Sequence, residues 1–189
     1  MVQLALALEG VGRQIDAIKV LEDHGRSNTD AMGVLAGRLK RRWLVERQDA
    51  DARKALELYT SAFDRSEAEG NSEQAYYHGV NVAFMYLVYE DNMKVARDMA
   101  AKVLVHCRKA VDDGEKPRNK KWRLATEGEA NLLLGKTEAA LKSYQEAVKT
   151  KPTPRELDSM YQQAALIAAC ASDEPTASKL ESIFRGDKQ

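Results

Sequence analysis

The chain has no excess of charge of either sign: 29 lysines and arginines face 29 aspartates and glutamates across 189 residues. Such a balance supplies no overall field to draw in nucleic acid or an anionic membrane. Aromatic residues are scarce, at 6%, and there are four prolines; with 31% charge and abundant alanine, this composition favours helices over a β-sandwich. The two cysteines, Cys107 and Cys170, each sit inside an apolar helical pattern. They read as buried small side chains in a reducing cytoplasm. Long apolar runs are missing too. The opening run Val2 to Leu8 is too short to span a bilayer, and no basic segment precedes it as in a signal peptide. A cytoplasmic location with no membrane partner is expected.

Catalytic motifs are equally absent. The sequence holds no Gly-x-Ser-x-Gly elbow, no Walker-type phosphate loop and no His-Glu-x-x-His. His24, His78 and His106 lie far apart, while His106 and Cys107 are neighbours and so point about 100° apart on a helix. No metal site, no cofactor and no enzymatic activity are expected. The carboxylates alternate with lysine and arginine on polar faces, as solvated ion pairs do.

What the chain does contain is clearest between Trp122 and Pro152, WRLATEGEANLLLGKTEAALKSYQEAVKTKP. Apolar and small residues recur there at three- and four-residue spacings, predicting two amphipathic helices. Gly135 stops the first, Thr137 is placed to cap the second, and Pro152 closes the pair. With Lys121 as position 1, Gly128 falls at 8, Ala140 at 20, Tyr144 at 24 and Ala147 at 27. This is the pattern of a tetratricopeptide repeat of ~34 residues, whose small residues let two helices approach closely.

Poorer copies surround it. Ala17 and Leu21 anchor a first repeat after Gly12; Ala55, Tyr59 and Ala62 a second; Ala96, Ala100 and Val103 a third; Ala177 lies near position 20 of a fifth. Helix starts are expected at Ser27 or Asn28, Asp49 or Asp51, Asn71 or Ser72, Asp91–Asn92, Pro154 and Pro175. Trp43 occupies position 8 of the second repeat, which predicts a splayed or rotated pair there. The third repeat is apolar all round, which predicts a central, covered place. The anchor alanines at 17, 55, 96, 140 and 177 are 37 to 44 residues apart, so helices or loops are lengthened. No stretch alternates like a strand. The expected fold is all-α, a right-handed superhelical solenoid of about five degenerate antiparallel helix pairs, one domain over residues 1–189. Counting back, position 4 of the first repeat falls on Met1, and Leu4, Leu6 and Leu8 stand where a polar cap is needed; the expectation is a piece of a longer protein.

Two segments carry a narrower resemblance: YYHGVNVAFMYLV, Tyr76 to Val88, and Lys121 to Val148. Gly79, Val80 and Asn81 after a tyrosine-rich entry, with Trp122, Leu134, Gly135 and Ala140, resemble the TRAFs-binding domain. That tetratricopeptide-like domain belongs to the regulatory region of apoptosis signal-regulating kinases and to bacterial relatives. The resemblance implies a regulatory, partner-binding part. Kinase motifs are missing: there is no glycine-rich phosphate loop, no His-Arg-Asp and no Asp-Phe-Gly.

In such solenoids the first helix of each pair lines the concave face. The register puts Lys40, Arg47, His78, Asn81, Met85, Tyr89, Trp122, Glu129 and Gln162 on that surface. A partly basic groove with Tyr and Trp suits a peptide or protein partner carrying acidic groups. The expected function is a non-catalytic interaction module that scaffolds or regulates a fused or bound signalling domain. Two alternatives remain: nucleic-acid binding through the basic clusters 38–47 and 116–123, and a structural or oligomerisation spacer. A carboxylate clamp for chaperone tails is excluded, because Leu44 and Val82 stand where polar residues are required.

Overall fold

The computed structural model describes residues 2–24, 28–170 and 174–186. Among them are ten helices and no strand: α1 (Val2–Gly10), α2 (Gln14–His24), α3 (Thr29–Glu46), α4 (Asp49–Ala68), α5 (Ser72–Val88), α6 (Met93–Asp112), α7 (Lys120–Leu133), α8 (Thr137–Lys149), α9 (Pro154–Cys170) and α10 (Glu174–Arg185). Chain order makes five helix pairs, as the repeat pattern predicts. The residues form two compact units, 1–81 and 82–189, with the boundary inside α5.

Local chemistry explains most boundaries. Asn28 accepts the Ala31 N–H at 2.8 Å, Asn71 that of Gln74 at 3.1 Å, and Asn92 that of Val95 at 3.1 Å. Each is an N-cap contributing about 1 kcal/mol. Ser27, the other expected cap of α3, lies outside the described residues, as does Met1. Thr153 opens α9 through a capping box: its N–H donates to Glu156 Oε2 at 2.8 Å, and its hydroxyl accepts the Glu156 N–H at 3.4 Å. Thr137 is the first residue of α8 rather than its cap; Lys136 holds the cap position without a side-chain bond. Gly135 ends the α7 corner at φ 71°, and Arg47, Asp91 and Lys151 adopt the same left-handed region at other helix ends.

In the first unit, α1 packs on α2, α2 on α3, and α3 on α4. The pair α3–α4 is close rather than splayed. The small residue facing Tyr59 is Gly37, where an added Cβ would stand 3.3 Å from the Tyr59 hydroxyl. Trp43 is buried nearer the hairpin tip. The pairing is set about one and a half turns further from the corner than a constant repeat length implies, because α3 and α4 are longer, at 18 and 20 residues, than α7 and α8.

In the second unit, α7 contacts α6, α8 and α9, while α8 and α9 both contact α10. First helices thus lie beside first helices and second beside second. Gly128 lets α8 approach so closely that an added Cβ would sit 2.6 Å from the Tyr144 ring. Tyr144 is fully buried and meets Phe184 edge-on at 5.3 Å. Ala96, Ala100, Val103, Ala140 and Ala147 are buried as expected. On α10 the inward residues are Thr176 and Leu180, and Ala177 is half-buried.

Candidate partner-binding site

Helix α3 carries small residues at Gly33 and Gly37, and these determine what becomes of its charges. A Cβ at Gly33 would lie 2.5 Å from His78 Cε1, so α3 and α5 almost touch. Lys40, three residues beyond Gly37, is thereby enclosed. It is 8% exposed, donates to Asn81 Oδ1 at 2.6 Å and stands 5.8 Å from the Tyr59 ring centre. Asn81 donates in turn to the Tyr77 carbonyl at 2.8 Å. Its amide therefore bridges two helices, a buried polar group with its partners in place. His78 is wholly buried, with Nε2 2.9 Å from Gln74 Oε1. Burial lowers its pKa to about 4, so the ring is neutral near pH 7.

These facts correct the expected groove. Lys40, His78, Asn81 and Met85 belong to the interior, as does Glu129, which accepts a 2.6 Å hydrogen bond from Gln163. Gln162 is exposed and donates to Asp158. Trp122 keeps 38% exposure beside Lys121, and Tyr89 is half-buried. Arg47 is exposed at the end of α3 at φ 58°, its guanidinium 5.9 Å from the Trp43 ring centre. Spacing alone sets the face on which Lys40 and Glu129 are expected, and it carries no information about a partner 41 or 34 residues away.

Four cations of the basic clusters are paired with carboxylates. Arg38 Nη2 lies 2.7 Å from Glu9 Oε2, and Arg42 grips Asp51 with both nitrogens of one edge. Arg123 is buried between Glu115 and Glu127, and Lys121 pairs with Glu156 at 2.7 Å. A phosphate-binding surface needs cations free to release counterions, and these four are held by carboxylates.

The first unit holds an open cleft, a cavity of about 430 Å³ between α1–α2 and α3. Glu9, Ile15, Ile18, Arg38, Arg41 and Val45 line it. Ile15 and Val45 are 68% and 83% exposed, an apolar rim around a charged floor. Burial lowers the pKa of Arg38; Glu9 opposes this and Arg41 adds to it. A legible signal existed: Arg38, Arg41 and Val45 recur at helical spacing on one face of α3. A second hollow, of about 760 Å³ between α8 and α10, is lined by solvent-exposed charges such as the Lys179–Glu138 pair. Among the described residues no group of His, Cys, Asp and Glu could hold a metal, and no helix is long and apolar enough to cross a membrane.

The paired helices, the close glycine contacts and the alignment of first with first and second with second helices define a tetratricopeptide-like helical-repeat protein. Residues 1–86, which contain the cleft, match the family model described as Tetratricopeptide Repeats-Sensor. Among solved structures, the crystal structure of BtubC (BKLC) from P. vanneervenii is similar over 96% of this chain and 76% of its own, with a TM-score of 0.52 and 15% identity. That likeness concerns the fold alone. No curated protein matches the chain.

Proposed function

We propose that this chain is a non-catalytic protein-interaction module that regulates or scaffolds a partner, and that the α1–α2–α3 cleft is where the partner docks. The observation that carries this reading is the cleft itself, an open hollow with an exposed Ile15–Val45 rim over arginines. Isolated exposed apolar residues are ordinary; two of them bordering a concave, charged site mark a place for another chain. The resemblance of Gly79–Asn81 and the Trp122 helix to the TRAFs-binding domain, and the matching family's description as a sensor, support a regulatory role.

The test compares wild type with an Ile15→Asp/Val45→Asp double variant as bait in cell extract, with bound proteins quantified by mass spectrometry. Both side chains are exposed, so the melting temperature is expected to stay unchanged. A partner enriched by wild type and lost by the variant supports the proposal. Identical enrichment by both rules out this cleft as the docking surface.

A further inference from the structure

We infer that the cleft seats an acidic side chain of the partner, whose carboxylate replaces that of Glu9 on Arg38 and Arg41. The inference rests on the partner-binding reading above and names the chemistry that the cleft selects.

Arg38 is the anchor. It is 7% exposed; Nη1 donates to the Val34 carbonyl at 3.0 Å, and Nη2 lies against Glu9. Its buried Nε meets no acceptor among the described residues. A guanidinium presents five donors in a planar fork that matches a carboxylate, and here part of that fork is unused. Arg41 is the second contact. It is 60% exposed and 3.7 Å from Glu9 Oε1, beyond the ~2.7–2.9 Å of a charge-assisted hydrogen bond. Its donors can turn to an incoming group. Arg42 takes no part, because Asp51 occupies it.

The charge count decides which anion fits. Arg38 and Arg41 face Glu9, and Glu46 also lines the cleft. A dianionic phosphate would meet both carboxylates, whereas a monoanionic carboxylate displaces Glu9 one for one. Such an exchange never leaves the buried Arg38 without a counter-charge, the state that costs most. Glu9 is placed to yield. It lies one residue before the end of α1, followed by Gly10 and by Gly12 at φ 79°. Ile15 and Val45 at the rim then receive an apolar neighbour of the acidic residue.

The experiment uses the full chain and fluorescence anisotropy with a dye-labelled dodecapeptide of alternating Glu and Leu, beside the same peptide with Gln for every Glu. The Glu peptide is expected to bind, and the Gln peptide to bind at least about tenfold more weakly. Arg41→Glu should weaken the Glu peptide by a similar factor, and Glu9→Gln should tighten it by removing the internal competitor. If Glu9→Gln does not fold, the exposed Arg41→Glu decides. Equal binding of the two peptides, binding of neither, or indifference to Arg41→Glu overturns the inference. A partner captured through Ile15 and Val45 but insensitive to Arg41 leaves the interaction module standing without its acidic ligand; a chain that captures no partner removes the proposed function itself.

Discussion

Asn81 shows how one residue decides whether a charge belongs to the surface or the interior. Its carbonyl oxygen holds the Lys40 ammonium at 2.6 Å and its amide nitrogen holds the Tyr77 carbonyl, so a lysine on a basic run becomes part of the core. Asn81→Leu removes an acceptor from a buried cation. A hydrogen bond to a charged group contributes about 1.5–3 kcal/mol, and a loss of about 2–3 kcal/mol is expected. Asn81→Asp, which keeps an acceptor, should lose less. Chemical denaturation of the two variants measures the difference; equal midpoints would mean that Lys40 does not depend on this side chain. The same pair limits what the sequence could disclose. Asn81 was recognisable as a polar residue in an apolar helix needing partners, yet nothing local in RLKRR separates Lys40, which is buried, from Arg41, which is not.

At the scale of helices, two glycines with similar letters around them have opposite surroundings. Gly128 is pressed against the Tyr144 ring, whereas an added Cβ at Gly10 would meet nothing within 4 Å. Gly128→Ala is expected to destabilise by about 1–2 kcal/mol: overpacking costs about 1–3 kcal/mol, and the better helix propensity of alanine returns part of it. Gly10→Ala, without the clash, should be neutral or slightly stabilising. Thermal melts of the two variants check the pair of signs. Helix starts and stops were largely readable because caps are local: Asn28, Asn92, Gly135 and Pro154 act on residues within one turn. Pairing between helices was readable only where helix length matched the standard repeat. It held for Gly128 and Tyr144 and slipped from Trp43 to Gly37 where α3 and α4 lengthen.

For the whole molecule, the buried neutral His78 sets a pH dependence. Its folded pKa is about 4, against an unfolded value near 6.5. Between these values the unfolded chain binds a proton that the folded chain refuses, so stability is full above about pH 6.5 and falls as the pH drops towards 4. From this group alone the loss between pH 8 and pH 5 is roughly 2 kcal/mol, or about 4–8 °C in melting temperature for a chain of this size. The melting temperature of wild type should fall more steeply over that range than that of His78→Gln. Parallel curves would show that the imidazole is not excluded from protonation.

The fate of the two cysteines has a practical consequence. Cys107 is sealed inside α6, its thiol held firmly protonated by burial, while Cys170 ends α9 in an exposed position. Burial and the nearby Asp91 raise the Cys170 pKa, so it reacts more slowly than a free thiol, but a reagent can reach it. The second compact unit thus carries its own attachment point for a fluorophore or spin label, with no cysteine to add or remove. A probe placed there reports on residues 82–189 while the α1–α2–α3 cleft, in the other unit, stays chemically untouched.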